Sequence, residues 1–428
     1  MDPLYTSSIL ESWGYETEFN DVDIEDFPWG DIPSFFERSS DIIYIHYRSV
    51  LLPAIVNIIE ELKTFYPHKK VIVSGPGITI VGKDLLRIPH LSDIIICDSK
   101  RSVGCLVKRL VNGEPLKGLE GIIYKDADGI KFKEEINKDM NILPLPAYEK
   151  VNIKRYKNLS VITSLGCPFK CTFCKRRVYE GGIIFYRDLN KVLREIRTLH
   201  EIYGVQNINV RDAVFTIDRK RVLKFCQELK KNKVDIRWNC FGRIDMMDEE
   251  LMKKMSESGC NQILYGVESG SNKVLNEISK GFGRDQARDI VMKSKKYFES
   301  VVATFIWGFP FETTKDVQKT SDLMYEFSEN GIECYPRQLI LYPGTEMFRK
   351  YRNYLEEGIN LRHLRHMARP KLINLIKKYP DIFPDFYKIR VKDFDEKKHI
   401  IESAERGKWK GETKNKIPHF YSFSDRTQ

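Results

Sequence analysis

The segment SLGCPFKCTFCKRRVYEGG, residues 164–182, places Cys167, Cys171 and Cys174 within eight positions. With nine cysteines in 428 residues, a Cys-x3-Cys-x2-Cys match has a chance expectation of roughly 0.004, so the cluster is not a compositional accident. Three close thiols suit a disulfide, a zinc ion or an iron–sulfur cluster. A disulfide leaves one thiol over. It also needs an oxidising compartment, and the N-terminus MDPLYTSSILESWGYE is acidic and lacks the apolar core of a secretion signal. A structural zinc site takes four ligands, as a rule with a second pair at similar spacing, and no such pair occurs. Cys226, Cys240 and Cys260 stand singly in α/β-like runs, where a free cysteine reads as a small buried hydrophobe. Thiolates are the ligands of iron–sulfur clusters, and a cubane held by only three of them leaves one iron with an open coordination position.

The elements around the thiols say where they sit. Early in the chain DIIYIH, KVIVSG and DIIICD alternate with amphipathic segments near 50–65 and 102–111, the rhythm of a parallel α/β sheet. GIIYKDADGIKFKE then reads as a hairpin turning at Asp128-Gly129, and ILPLPAYEKV as a proline-punctuated linker. From about residue 158 the runs LSVITSL, NINVRD, IRWNCF, QILYGVES, VATFIWGF and YPRQLILY alternate with helical segments such as LNKVLREIRTLHEIYG, which predicts a (β/α)6 partial barrel. The three thiols follow its first strand, at the end where barrel enzymes build active sites. Past residue 345 no strands are expected, and the remainder reads as a charged helical extension.

These motifs, taken together, resemble the radical S-adenosylmethionine superfamily. The thiol pattern carries an aromatic, Phe173, just before the third cysteine. NVRDAVFTIDRKRVLKFCQEL resembles the family's second-strand segment, and WNCFGRIDMMDEELMKKMSESGCNQILYGVESGSNKVLNEISKG is similar to a run of its cobalamin-associated branch. FIWGFPFETTKD and LYPGTEMF resemble the fifth- and sixth-strand signatures. The resemblance implies a 4Fe-4S cluster on Cys167, Cys171 and Cys174, whose unique iron chelates S-adenosylmethionine. One electron from the reduced cluster then gives a 5′-deoxyadenosyl radical. It also implies that Asp212, Arg243, Glu268, Ser269 and Gly270 lie near that cofactor. On the residues alone, Arg243 and Glu268 could equally pair with each other, and Asp212 could cap the following helix.

The resemblance divides the chain into a Rossmann-like, degenerate cobalamin-binding-like domain (1–142), a linker (143–157), the radical barrel (158–348) and a basic helical extension (349–428). The first domain departs from its pattern: it lacks the opening strand, and the Asp-x-His-x-x-Gly motif is absent, His46 not supplying it. Cobalamin therefore stays open, as does a vestigial domain that shapes the substrate pocket. A corrinoid would meet Tyr47, Arg48, Ser49 and Gly75 to Gly77. With it, the expected reaction is methyl transfer to an unactivated carbon. Without it, the radical could drive epimerisation, dehydration or another rearrangement, with Cys334 as a candidate hydrogen donor. Only Cys97 and Cys105 lie in the first domain, which argues against a methylthiotransferase with further cluster cysteines.

Composition limits the remaining classes. The chain is 42% hydrophobic and 30% charged, which fits a globular protein and excludes a disordered one. No run approaches the roughly 18 apolar residues of a membrane span, and the cytoplasm is the expected compartment. Of the net charge of +10, residues 351–428 carry 18 Lys plus Arg against 11 Asp plus Glu, a solvated face or a docking surface for an acidic group. A basic RNA- or partner-binding protein with a structural cluster would need a fourth ligand and aromatic-basic platforms, and neither is evident. The expected partners are a reducing electron donor such as flavodoxin or ferredoxin and a substrate that is a small molecule, peptide or lipid.

Overall fold

The structure is a computed structural model that describes residues 3–21, 31–47, 52–135, 138–156, 159–359 and 370–406. The chain forms two compact units. One comprises Met1–Arg155, Tyr342–Arg349 and Leu355–Lys388, the other Tyr156–Leu341, Lys350–Tyr354 and Ile389–Gln428. No helix among the described residues is long and apolar enough to cross a membrane.

In the first unit α1 (Pro3–Ser12) and α2 (Ile32–Glu37) precede a five-stranded sheet in the order β1 (Ile42–His46), β2 (Lys70–Ser74), β3 (Ile95–Cys97), β4 (Ile122–Asp126), β5 (Gly129–Lys133). The β-branched runs pair in parallel from β1 to β3, with α3 (Leu52–Phe65) and α4 (Ile78–Leu85) as crossovers and α5 (Val103–Asn112) leading on to β4. β4 and β5 close antiparallel, and the hairpin turns where expected, with Gly129 at φ +109°. The core packs Leu62, Val71, Ile96 and Ile123 with Ile376 of α14 (Pro370–Lys378) and with Ile382, Phe383 and Phe386.

The second unit is built on six parallel strands in the order β13, β12, β11, β10, β9, β6, with β6 and β13 at the edges. They are β6 (Leu159–Val161), β9 (Asn207–Val210), β10 (Arg237–Gly242), β11 (Cys260–Glu268), β12 (Ser300–Trp307) and β13 (Glu333–Gln338), with a short hairpin of β7 (Ser164–Leu165) and β8 (Phe185–Tyr186) inserted after the first. The intervening helices are α6 (Lys175–Glu180), α7 (Leu189–Arg197), α8 (Arg219–Lys231), α9 (Glu249–Glu257), α10 (Asn272–Glu277), α11 (Arg284–Ser294) and α12 (Thr314–Glu329). Their starts are written in the sequence. Asp188, Asp218 and Asp248 cap α7, α8 and α9 with their carboxylates, and Thr313 and Asp316 form a reciprocal capping box on α12. Alternation along each strand sorts the side chains. Trp238 of β10 packs edge-on to Phe215 and Phe225 on the helical side. Phe241 and Tyr335 pack with Leu264 and Val302 on the opposite face. This is the (β/α)6 partial barrel that the alternation predicts.

The extension differs from its reading as purely helical. α13 (Glu346–Tyr351) and α14 are followed by α15 (Phe394–Arg406), but β14 (Leu355–Ile359) and β15 (Tyr387–Ile389) form a two-stranded sheet between them. Strands of five and three residues are too short for a period-2 pattern to stand out from charged surroundings.

Helix α15 packs on α12, and its Lys397 is fully buried. The Lys397 ammonium donates to the Glu312 carbonyl at 2.6 Å. The Glu312 carboxyl in turn accepts the Gly308 N–H at 2.7 Å, and its other oxygen is buried without a partner. Desolvation dominates there and lifts the Glu312 carboxyl from 4.5 to about 7.

Two outcomes follow from this packing. Trp238→Ala removes the centre of an aromatic trio and should cost about 4 kcal/mol, read as a lower denaturant midpoint. A carboxyl with a raised folded-state pKa binds more protons when folded, so its contribution is complete below pH 4.5 and is lost as pH rises to about 7. Glu312→Gln should therefore gain stability on wild type between pH 4.5 and 8, by up to about 3 kcal/mol for a shift of this size, read from melting temperatures across that range.

Candidate active site

The candidate site is the rim at the carboxyl ends of the six parallel strands. The chain leaves β6, makes β7 and enters the thiol loop, 166–174. Gly166 opens it at φ +99°, and a Cβ there would lie 1.9 Å from the Ile183 carbonyl oxygen, so only glycine fits. Backbone bonds run from Cys167 N to Gly181 O (3.2 Å), from Cys174 N to Cys171 O (3.1 Å) and from Thr172 N to Ile278 O (3.2 Å). Arg177 Nη1 donates to the carbonyls of Cys167, Pro168 and Phe169 at 3.5, 3.1 and 3.3 Å. Those oxygens are turned toward the arginine.

Burial pushes the Cys167 and Cys174 thiols up, and the neighbouring thiols push in the same direction. The Phe169 N–H at Cys167 and the Arg177 and Arg176 N–H groups at Cys174 oppose it, as do the guanidinium charges of Arg243 and Arg176. The donor set suits a group that binds soft thiolates and carries negative charge: three mutually interacting sulfurs, amide donors aimed at two of them, and a buried, partnerless Thr172 hydroxyl between the second and third. Among the described residues no three His, Cys, Asp or Glu side chains converge closely enough to share one ion.

The other expected residues fall at this rim with different partners. Asp212, just past β9, is buried and accepts from Thr163 N at 2.7 Å, Thr163 Oγ1 at 2.5 Å and Ser164 Oγ at 2.7 Å. Burial raises its pKa against those bonds. It ties the β6–β7 turn to β9, and Asp218 rather than Asp212 caps the next helix. Arg243 and Glu268 do not pair with each other. The Arg243 guanidinium pairs Nε with Asp245 at 2.7 Å, donates to the Lys280 carbonyl, and stacks 3.5 Å from the Phe169 ring centroid. Glu268 ends β11 at φ +71°, after a register shift, and pairs with the buried Lys280 at 3.2 Å. That conformation is uncommon for a residue with a side chain. Ser269 and Gly270 bond Thr320 of α12 at 3.1 and 2.9 Å, and a Cβ on Gly270 would lie 2.2 Å from the Lys319 carbonyl oxygen. They dock the strand end on the helix.

Cys334 is not brought to the rim. It lies near the start of β13, and its thiol is directed at α12, 3.6 Å from the Met324 carbonyl and 3.8 Å from Ser328 Oγ. Alternation explains the outcome, since Glu333 and Tyr335 take the opposite face. The expectation of a hydrogen donor there is corrected. In the first unit Tyr47 is buried at the end of β1, and Gly75 lies against it: a Cβ on Gly75 would meet the Tyr47 carbonyl at 2.4 Å and its ring at 2.6 Å. Gly77 starts α4 at φ +77°. Arg48 and Ser49 lie outside the described residues.

Sequence reasoning missed Phe169, Arg177, Lys280 and Glu312. Arg177 sits in a Lys-Arg-Arg run that reads as a solvated face, and Lys280 in a turn without a motif. Glu312 lay within a quoted signature whose glutamate had no assigned role.

Comparison with known proteins agrees with this fold. Residues 161–324 match the model of the Radical SAM superfamily. An uncharacterized methyltransferase of Pyrococcus horikoshii is 27% identical over 408 residues, covering 90% of this chain and 87% of its own. The radical S-adenosylmethionine methyltransferase TsrM of Kitasatospora setae, solved with cobalamin and a [4Fe-4S] cluster bound, superposes with a TM-score of 0.74 at 16% identity, covering 94% of this chain and 87% of its own. The cobalamin-dependent S-adenosylmethionine radical enzyme OxsB, with aqua-cobalamin and S-adenosylmethionine bound, gives 0.73 at 15% identity over 94% of this chain and 63% of its own. Residues 161–324 are therefore a radical SAM domain, and the chain is an enzyme in which that domain implies a 4Fe-4S cluster and S-adenosylmethionine.

Proposed function

We propose that Cys167, Cys171 and Cys174 hold a 4Fe-4S cluster with S-adenosylmethionine on its open iron, and that the enzyme transfers a methyl group to a carbon of an organic substrate with cobalamin as the methyl carrier. The observation that carries the first part is the thiol loop itself, three interacting sulfurs at the carboxyl rim with amide and guanidinium donors directed at them. When bound and reduced, the cluster and cofactor supply a radical able to abstract hydrogen from carbon. The chain's own contribution is to hold the thiols in place through Gly166, Arg177 and the Ile278 carbonyl. Glu268 and its partner Lys280 stand at the same rim, where a bound zwitterion would meet both signs of charge.

Methyl transfer rests on the methyltransferase of P. horikoshii and on the cobalamin bound by TsrM and OxsB. A second reading, a radical rearrangement without cobalamin, is favoured by Tyr47, which already fills the space over Gly75. An electron donor such as flavodoxin or ferredoxin would reduce the cluster, and the substrate would be a small molecule, peptide or lipid.

Anaerobic reconstitution with iron and sulfide, followed by reduction with S-adenosylmethionine, should yield 5′-deoxyadenosine from the wild type and none from Cys171→Ala. A fully loaded cluster that yields no deoxyadenosine would overturn the enzyme reading. Hydroxocobalamin added to the same preparation should be retained through gel filtration with a corrinoid absorption band. Its loss would select the rearrangement. Gly166→Ala should cut bound iron per chain several-fold while the circular dichroism of the barrel is kept, because the added Cβ displaces the loop and not the strands.

A further inference from the structure

Arg243 leaves the end of β10 with its side chain 6% exposed, and its guanidinium is enclosed by its neighbours. Nε faces Asp245 at 2.7 Å, and Nη2 bonds the Lys280 carbonyl. The flat face covers the Phe169 ring at 3.5 Å to the centroid, while Nη1 stands 3.9 Å from the Cys171 sulfur. Phe282 lies 5.4 Å away on a further side. Phe169 sits between the first and second thiols, so the stacking acts on the loop itself. The segment that supplies the Lys280 carbonyl is equally specific. Ser279 takes φ +57° and Gly281 φ +80°, the Ile278 carbonyl accepts Thr172 N, and a Cβ on Gly281 would come within 3.2 Å of Arg243 Nη2. A guanidinium so enclosed has one direction in which its charge is not already paired, toward Cys171.

We propose that Arg243 is a positioning and charge-setting residue of the thiol loop, and not a contact of S-adenosylmethionine: it clamps Phe169 and places its positive end beside Cys171. The inference rests on the proposed function, in that the thiols hold the cluster. One-electron reduction adds one negative charge to a thiolate-bound cluster, and a cation held about 4 Å from a ligating sulfur in a buried site favours the more negative state. Asp245 lies on the far side of the guanidinium and leaves that polarity in place.

The test uses the reconstituted holoenzyme and reads the midpoint potential by EPR-monitored titration, the affinity for S-adenosylmethionine from its effect on the same spectrum, and iron per chain. Arg243→Gln should shift the reduced-to-oxidised ratio at fixed potential at least tenfold toward oxidised, about 59 mV for one electron, with cofactor affinity within twofold of wild type. Arg243→Lys should keep most of the potential. Phe169→Leu, which leaves the charge but removes its platform, should lower the potential part of the way and lose iron faster on gel filtration. An unchanged potential in Arg243→Gln with cofactor affinity weakened tenfold would overturn the proposal, because Arg243 would then serve the cofactor. If Arg243→Gln takes up no iron, Phe169→Leu decides: wild-type potential and iron retention there would overturn it equally. A wild type that assembles no cluster would instead refute the proposed function and is read before any variant.

Discussion

The loop that carries the three thiols has almost no regular structure of its own, and the site depends on how its backbone is satisfied. A segment with three sulfurs turned to one side must turn its carbonyls elsewhere, and each buried carbonyl needs a donor. Arg177 meets that need for three consecutive residues, while the neighbouring 278–282 turn takes Thr172 N and hands its Lys280 carbonyl to Arg243. The shape of the loop is thus borrowed from arginines and from a turn three strands away.

The parallel sheet makes such borrowing possible. All six strands end at the same rim, so the segments after β6, β9, β10, β11 and β12 meet there without long connections. The last four each bring a charged group that is spoken for locally: Asp212 by hydroxyls, Arg243 by Asp245, Glu268 by Lys280, Glu312 by the Gly308 amide. Buried charges persist only with such partners. The rim is therefore a set of short, closed polar units around the thiols, and the extension joins it through Lys397.

The strands and helix caps were legible because they repeat: β-branched runs, amphipathic steps and an aspartate or threonine before each apolar series. The thiols were legible from spacing alone. What could not be read is pairing across the rim. Nothing in the order of residues says that Arg243 meets Phe169, 74 positions earlier in the numbering, or that Glu268 meets Lys280 rather than Arg243. Cys334 failed for a simple reason of phase, since one step along a strand changes the face. The strands β14 and β15 were too short to carry a period.

The two compact units are interleaved along the chain, and this bears on how the protein is made. Ile376, Ile382, Phe383 and Phe386 belong to the core around β1 and α3, yet they leave the ribosome after every barrel strand. Synthesis runs from the N-terminus at about 5–20 residues per second, so the unit begun first is still incomplete when the last barrel strand has been made. Its sheet must wait with part of one face uncovered while the barrel assembles, and a nascent chain of this protein carries exposed apolar surface for tens of seconds. A holding chaperone that acts during translation would find its binding surface there.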